Sequence, residues 1–287
     1  MSVVRDPRAL SPADRAVAVG TFDGVHRGHH AVVDAARATG LRATVVTFHP
    51  HPREVLGYEV QLLTTLERRL ELLGELGADD IVVVEFTMEL SRLSPEEFVD
   101  AVLTPIGTRS IVAGESFRFG RARSGDVQLL RRLGFDVLPV PIVEGVSSTS
   151  IREALRAGDV VAAAQMLGRP YELEGPIVAG DQRGGTLGFP TANLAVPPNL
   201  LVPSYGIYAG ECLGHRAAVS IGVNPHYGGQ ERRVEAFLLD FGGDLYGRHL
   251  RLELWQRLRD EQVFATEDEL VGQIAEDVAD TRNAERP

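Results

Sequence analysis

Two kinds of hydrophobic pattern divide the chain near residue 168. In the first part, short β-branched runs alternate with amphipathic stretches, which is typical of parallel strands joined by crossover helices. The predicted strands are Ala16–Phe22, Ala43–Phe48, Asp80–Phe86, Ser110–Gly114 and Asp136–Val140. The predicted helices are His29–Thr39, Thr65–Leu76, Ser94–Leu103, Asp126–Leu133, Ser148–Ala157 and Asp159–Leu167. This part therefore predicts an α/β fold around a parallel sheet.

In the second part, glycine-rich turns separate short runs of strand-forming residues, and no helix is predicted between them. The strand candidates are Gly206–Glu211, Arg216–Ile221, Arg233–Phe241 and Leu250–Leu258. This spacing indicates an antiparallel β-barrel. A terminal helix over residues 267–282 follows, opened by a capping box of Thr266 and Glu269. We therefore predict two domains, residues 1–168 with the sheet and residues 169–287 with the barrel.

The composition limits the classes of function that the chain can serve. The 29 basic and 40 acidic residues give a net charge of -11, so neither nucleic acid nor a membrane surface is predicted as a partner. No apolar run approaches the length of a transmembrane helix, and the N-terminus lacks the apolar stretch of a signal peptide. Cys212 is the only cysteine, which fits a reducing compartment. A cytoplasmic location is therefore expected.

All 29 basic residues are arginine. This excludes mechanisms that need a side-chain amine, among them Schiff-base formation, a lysine general base and the lysine of the G-x-x-x-x-G-K-[ST] phosphate loop. A phosphate must then be bound by arginine, histidine, hydroxyl groups, backbone N–H groups or a metal ion.

Histidine is concentrated in two short segments that each follow a predicted strand. Five of the eight histidines lie between residues 26 and 51. The two loops should meet, because ligands of an α/β sheet bind beyond the carboxyl ends of its strands. In the first loop, Gly24 and Gly28 allow tight backbone geometry beside a helix N-terminus, which offers N–H groups to an anion. His26 and His29 could then donate hydrogen bonds to phosphate oxygens.

Three other interpretations of these histidines compete with phosphate binding. A zinc site is disfavoured, because His26 and His29 have no nearby cysteine and no H-E-x-x-H sequence. The histidines of T-F-H-P-H-P at residues 47–52 could be turn residues restrained by the prolines. His30 could lie on the surface of the helix that follows the first loop.

Two motifs together resemble the nucleotidyltransferase superfamily with an H-x-G-H sequence. The first is H-R-G-H at residues 26–29, and the second is the hydroxyl-rich turn S-S-T-S-I-R at residues 147–152. The resemblance implies that Arg152 and the neighbouring hydroxyls grip the β- and γ-phosphates of ATP, which suits the planar fork of arginine. By itself, the second motif could be a simple helix cap followed by a helical arginine.

Further segments narrow the resemblance to the FMN adenylyltransferase modules of prokaryotic bifunctional FAD synthetases. They are T-F-H-P-H-P at residues 47–52 and G-E-S-F-R-F-G at residues 114–120. The resemblance implies transfer of AMP from ATP to the phosphate of FMN, with release of pyrophosphate. The implied catalytic residues are His26 and His29, and the implied ATP and phosphate ligands are Gly20, Phe22, Asp23, Gly24, Ser147, Thr149 and Arg152. The same resemblance places the cleft for FMN and ATP at His49, Pro50, His51, Ser116, Phe119 and Asp126.

The second part of the chain resembles the flavokinase signature. G-D-Q-R-G-G-T-L-G-F-P-T-A-N occupies residues 180–193, and V-E-A-F-L-L-D-F occupies residues 234–241. The resemblance implies that ATP is bound by Gly180, Gly184, Gly188, Pro190, Thr191 and Asn193. It also implies that Thr191 and Asn193 hold Mg²⁺. Glu235 is the implied catalytic base, which takes the proton from the 5′-hydroxyl of riboflavin as this oxygen attacks the γ-phosphate.

The resemblance extends over nearly the whole chain and implies its architecture. The expected fold is a Rossmann-like nucleotidyltransferase domain followed by a riboflavin kinase barrel with a terminal helix. Riboflavin, FMN, FAD and ATP are the expected substrates and products, and Mg²⁺ is the expected metal. Ser116, Ser150 and Gly185 depart from the family pattern in binding loops. Two alternatives therefore stay open: an enzyme with only one active module, and a flavin-binding regulator without turnover.

Overall fold

The computed structural model describes residues 1–180, 189–223 and 232–287. The chain divides into two compact units, Met1–Val146 and Ser147–Pro287. Within the described ranges, no helix has both the length and the apolar character that a membrane span requires.

The first unit is built on a six-stranded sheet. Its strands are β1 Ser2–Val4, β2 Arg15–Val19, β3 Arg42–His49, β4 Asp80–Glu85, β5 Thr108–Gly114 and β6 Asp136–Val140. They lie in the order β1-β4-β3-β2-β5-β6, and every pairing is parallel. The predicted parallel sheet is confirmed. Strand β1 was not predicted, because three mostly exposed residues carry no pattern of burial.

Helices connect these strands. They are α1 Arg27–Ala38, α2 Pro52–Val55, α3 Leu66–Glu75, α4 Met88–Arg92, α5 Pro95–Phe98 and α6 Val127–Arg132. The helix predicted over Ser94–Leu103 begins as α5 and continues as a π-helix over Val99–Leu103. Helices α2 and α4 were not predicted, because four or five residues are too few for a helical repeat of apolar positions to be recognised.

Both faces of the sheet are covered by apolar side chains. Val45 packs with Leu73 of α3 in one cluster, and the adjacent Val46 packs with Leu103 and Leu130 in another. Successive strand residues point to opposite faces, so a sheet buried on both sides needs continuous apolar runs. This is why the strands read as uninterrupted hydrophobic segments in the sequence.

An ion network joins the first residues of three neighbouring strands. The carboxylate of Asp80 accepts hydrogen bonds from Arg15 Nε at 3.3 Å and from Arg42 Nε and Nη2 at 2.9 Å. The hydrogen bond from Arg42 holds the pKa of Asp80 below its usual range, and the charge of Arg15 acts in the same direction. The network fixes the end of the sheet opposite to the histidine loops.

The second unit opens with two helices, α7 Ser148–Arg156 and α8 Val160–Leu167. Helix α8 packs on the strands that begin at Tyr171 and His249, and the N–H of Ser204 donates to the carbonyl of Leu155 at 3.2 Å. The helical pair therefore lies in the same compact unit as the barrel. The limits 1–168 and 169–287 stay a prediction of how the chain divides by function.

A closed antiparallel barrel forms the body of this unit. Its strands are β7 Tyr171–Val178, β8 Ala192–Leu194, β9 Gly206–Cys212, β10 His215–Val223, β11 Arg232–Leu238 and β12 His249–Arg259. They follow the order β10-β11-β8-β7-β12-β9 around the barrel. Helix α9 Glu267–Asn283 follows. The predicted barrel and terminal helix are confirmed, whereas β7 and the short β8 were not predicted.

Candidate active sites

The loop after β2 leads into α1 and carries the H-x-G-H residues. Its backbone is left-handed at Phe22 and Gly24, with φ of 51° and 85°. Asp23, between them, is fully buried. Its carboxylate accepts hydrogen bonds from the N–H groups of Leu63 at 2.9 Å and Thr64 at 3.3 Å. The structure thus gives Asp23, predicted among the phosphate ligands, a role in anchoring the loop.

His26 and His29 form a stacked pair at the start of α1. Their ring centroids are 3.6 Å apart, and their planes differ by 17°. The N–H of His26 donates to Nδ1 of His29 at 3.2 Å. In neutral His29 the ring hydrogen is then on Nε2, so this atom is a donor. A donor beside the N–H groups of a helix N-terminus is an arrangement that suits an anion.

Two other histidines support the backbone around this pair. His30, interpreted as a surface residue, is half-buried, and its Nε2 lies 3.0 Å from the carbonyl of Val25. His51 is buried and caps α2, where its Nδ1 accepts from a backbone N–H at 3.2 Å. The turn interpretation therefore describes the geometry of His51. His49 ends β3 and is joined to Pro50 by a cis peptide bond.

The segment after β5 holds three residues that the resemblance assigns to the flavin and ATP cleft. Ser116 is exposed, whereas Phe119 is buried and its ring stacks on Phe117 with centroids 5.6 Å apart. Asp126 caps α6 and accepts from the N–H of Leu129 at 2.9 Å, a hydrogen bond that lowers the pKa of its carboxyl. Asp126 therefore has a helix-capping role in addition to the predicted one.

The hydroxyl-rich motif begins α7 in the second unit. Ser147 caps this helix, because its Oγ accepts from the N–H of Ser150 at 3.0 Å. Nη1 of Arg152 donates to the carbonyl of Ser148 at 3.0 Å. Thr149 is exposed on the first turn, and Arg152 is partly buried. The simple helix cap is thus formed, and the predicted phosphate ligands Ser147, Thr149 and Arg152 lie at the cap and on the first two turns of the helix.

The barrel brings together the three side chains predicted for kinase chemistry. Glu235 of β11 and Asn193 of β8 are opposite one another in the strand register, so their side chains lie on the same face. The hydroxyl of Thr191 donates to Oε2 of Glu235 at 3.4 Å. Val234 and Ala236, which flank Glu235, are buried on the other side of the strand. Glu235 is therefore presented on a partly exposed face beside Thr191.

Two cavities meet at Thr191. The first has a volume of about 300 Å³ and is lined by Glu235 together with apolar residues such as Phe237 and Phe264. The second has a volume of about 260 Å³ and extends from Pro190 and Thr191 along the segment at residues 241–246. Thr191 lines both cavities, whereas Glu235 lines only the first.

Several polar residues of the first cavity were missed by the sequence analysis. Arg259, at the end of β12, donates through Nε and Nη2 to the carboxylate of Asp277 in α9 at 2.8 Å and 2.7 Å. Glu261 lies in the same wall, and burial raises the pKa of its carboxyl. The ion pair holds the terminal helix against this wall. No sequence motif predicts this ion pair, because Arg259 and Asp277 lie on two elements that come together only in the folded chain.

The side chains of Thr191 and Asn193 offer oxygen ligands, which Mg²⁺ prefers while it keeps further places for phosphate and water. A Cβ atom at Gly180 would clash with the amide of Asn193, so the absence of a side chain there makes room for this amide. Both observations fit the predicted metal. Gly184 and Gly188, two further predicted ATP ligands, lie outside the described residues.

Comparison with known proteins covers both parts of the chain. The FAD synthetase family matches residues 9–152, and the riboflavin kinase family matches residues 167–285. A bifunctional riboflavin kinase/FMN adenylyltransferase from Listeria monocytogenes is 37% identical, over 94% of this chain and 92% of its own length. One from Escherichia coli strain K12 is 35% identical, over 96% of each chain.

A crystal structure described as that of a macrolide-efflux protein from Streptococcus pneumoniae shares the fold. Its TM-score is 0.89 at 30% identity, and 99% of each chain is covered. The efflux role in that description concerns that protein. The two family matches follow the order of the motifs, and the relatives match along nearly their whole length. The chain belongs to the family of bifunctional riboflavin kinase/FMN adenylyltransferases.

Proposed function

We propose that this chain phosphorylates riboflavin to FMN in its barrel and adenylylates FMN to FAD through the predicted N-terminal domain at residues 1–168, with ATP as the donor in both steps. Family membership supports the pair of reactions, since the relatives are named for both. The observation that carries the kinase assignment is the hydrogen-bonded pair of Thr191 and Glu235, since both residues line the larger cavity and Thr191 also lines the second.

In the proposed kinase step, the larger cavity receives the flavin. Its aromatic walls at Phe237 and Phe264 suit a flat ring, and Glu235 accepts the proton of the hydroxyl that reacts. That oxygen attacks the γ-phosphorus of ATP, the bond from this phosphorus to the β-phosphate oxygen breaks, and ADP leaves. The hydroxyl of Thr191 donates to the carboxylate and so orients it. Bound Mg²⁺ would neutralise phosphate charge, with Thr191 and Asn193 as its protein ligands.

In the proposed adenylyl transfer, a phosphate oxygen of FMN attacks the α-phosphorus of ATP, and pyrophosphate leaves. The N–H groups that begin α1 and the Nε2 donor of His29 supply positive charge to the phosphates. Arg152, Ser147 and Thr149 are the further phosphate ligands that the family pattern proposes. Catalysis here consists of positioning and charge neutralisation, so no side chain has to carry AMP covalently.

The remaining proposals concern partners and location. The net charge of -11 supports an enzyme without a nucleic-acid partner, and the cytoplasm is the proposed location because ATP and a reducing environment are found there. The departures at Ser116, Ser150 and Gly185 are the reason to test each module separately.

A chromatographic time course tests the proposal. The purified chain is incubated with ATP and Mg²⁺, in one reaction with riboflavin and in a second with FMN. We expect riboflavin to give FMN and then FAD, and FMN to give FAD. Riboflavin that stops at FMN, with added FMN unchanged, would leave only the kinase module active. Binding of flavin without consumption of ATP would favour the regulator, and omission of Mg²⁺ tests the metal requirement.

A further inference from the structure

Two adjacent arginines of α3 are buried but differ in their partners. Arg68 extends along the helix and forms ion pairs with Glu71 and Glu75, each at 3.0 Å. Arg69 is 1% exposed and lies against the carboxyl end of β3. The chain thus buries a full positive charge at the end of the sheet where the histidine loops begin.

Arg69 connects three segments of the first unit. Its Nη1 donates to the carbonyl of Phe48 at 3.1 Å and reaches Oγ1 of Thr47 at 3.5 Å. The hydroxyl of Thr47 in turn donates to the carbonyl of Thr21 at 3.0 Å. Helix α3, the end of β3 and the loop after β2 are therefore linked through buried polar groups. The two loops joined in this way carry the stacked histidine pair and the turn at His49.

A contribution to stability does not explain why an arginine is buried at position 69. Burial lowers the pKa of Arg69, the charge of Asp23 opposes this effect, and Nε has no hydrogen-bond partner among the described residues. Burying an incompletely paired cation costs free energy, and an apolar side chain of similar length would avoid that cost. An arginine retained here is better explained by the arrangement of the loops that it bonds.

We propose that Arg69 is a positioning residue for adenylyl transfer, which holds the loop of His26 and His29 in register with the turn at His49. The inference rests on the proposed adenylyl transfer. Small displacements of reacting groups can lower a rate about a hundredfold, so a loosened loop should reduce kcat more than it affects substrate binding.

The test compares R69M with R69K and with R68M, the matched change at the neighbouring arginine, whose charge is paired with the exposed Glu71 and Glu75. For FAD formation from FMN, we expect kcat to fall at least about tenfold in R69M, with KM for ATP within about threefold of wild type. R69K, which keeps the charge and one donor, should recover most of the rate. R68M should resemble wild type, and riboflavin kinase activity of the same chain should be unchanged in all three.

A second variant and a second measurement keep the inference testable if R69M does not fold. T47V removes the hydroxyl that joins Arg69 to Thr21 while leaving the buried charge, and it should lower the same kcat several-fold. Amide hydrogen exchange of peptides at residues 20–26 and 47–51 should accelerate in T47V and R69M but not in R68M. This readout does not depend on turnover, so it separates failure of the inference from failure of the proposed function. Unchanged exchange and kcat in folded variants, or equal loss of both enzyme activities, would overturn the proposal.

Discussion

The hydrogen bond between Thr191 and Glu235 links residues that are 44 positions apart in the chain. This hydrogen bond occupies one lone pair of the Glu235 carboxylate and leaves others for a hydroxyl bound in the cavity that Glu235 lines, as a general base requires. Asn193 is placed next to it by strand register. Single-residue substitutions should therefore separate chemistry from stability at this site.

Replacement of Glu235 by glutamine tests the base. The amide keeps the shape and an acceptor for Thr191, but it takes up a proton far less readily. We expect E235Q to lower kcat of FMN formation about a hundredfold or more, with FAD formation from FMN unchanged. Rates are measured by chromatography of flavin products. E276Q, at an exposed position of α9, serves as the control. A kinase rate within threefold of wild type would rule out Glu235 as the base.

Replacement of His29 by asparagine tests the proposed donor of the adenylyl site. The amide oxygen can accept the hydrogen bond that Nδ1 of His29 accepts from His26, but the residue lacks a group in the place of Nε2. We expect H29N to lower FAD formation about a hundredfold, while kinase activity and melting temperature stay near those of wild type. H249N, at an exposed barrel position, is the matched control. Loss of kinase activity together with FAD formation would instead indicate a folding defect.

At the scale of secondary-structure elements, polar links tie neighbouring segments of the first unit at both ends of its sheet. Asp80 bonds the first residues of β2 and β3, whereas Asp23 and Thr47 act at the carboxyl ends beneath the histidine loops. Apolar packing between β-branched side chains specifies the layers. The hydrogen bonds are directional, so they fix the positions of strand ends and loops relative to one another, as a catalytic site requires.

The ion network at Asp80 gives a pH-dependent contribution to stability. The pKa of Asp80 is lowered in the folded chain, so its contribution is present above the unfolded pKa and is lost as pH falls through the lower folded value. We expect D80N to reduce the free energy of unfolding of the first unit by about 3 kcal/mol at pH 7, because Arg15 is left as a buried charge.

Urea titrations followed by circular dichroism measure this effect. The difference between wild type and D80N should shrink below about pH 4, where the carboxyl becomes protonated. D34N removes an exposed ion pair with Arg37 on α1 and should change stability by less than about 1 kcal/mol. A difference between wild type and D80N that does not vary with pH would contradict the linkage.

At the scale of the whole molecule, each unit has its own framework. Apolar clusters on both faces of the parallel sheet belong to the first unit, and the barrel closes on itself by hydrogen bonds between its own strands. The kinase residues Thr191, Asn193 and Glu235 lie within the second unit. A chain with one damaged site should therefore keep the chemistry of the other.

Mixing two damaged chains tests this independence. H29N should convert riboflavin to FMN, and E235Q should convert FMN to FAD, so neither alone makes appreciable FAD from riboflavin. We expect the mixture to make FAD after a lag, at a rate that rises with each variant, because FMN leaves one chain through solution and reaches the other. No FAD from the mixture, although each variant performs its own step, would mean that FMN passes only within a chain.

The sequence alone predicted the fold class, the family and the helix caps of this protein, because these features depend on residues that are close together in the chain. Uninterrupted apolar strands alternating with amphipathic helices predicted the parallel sheet, because a strand buried on both faces needs apolar residues at every position. Short strands separated by glycine-rich turns predicted the barrel. H-x-G-H, the hydroxyl-rich turn and the flavokinase signature identified the family and its expected site residues. Thr266, predicted from a capping pattern, caps the terminal helix because such a cap involves only near neighbours.

Long-range pairing decided the rest. Strands β7 and β8 are defined by partners elsewhere in the barrel, so their short or glycine-containing sequences do not reveal them. The anchoring of Asp23, the burial of Arg69 against the end of β3, and the ion pair of Arg259 with Asp277 all join residues that are distant in sequence. The sequence gives the type of each side chain, but its partners and its burial are decided only when distant elements pack together. Partners and burial determine what the residue can do.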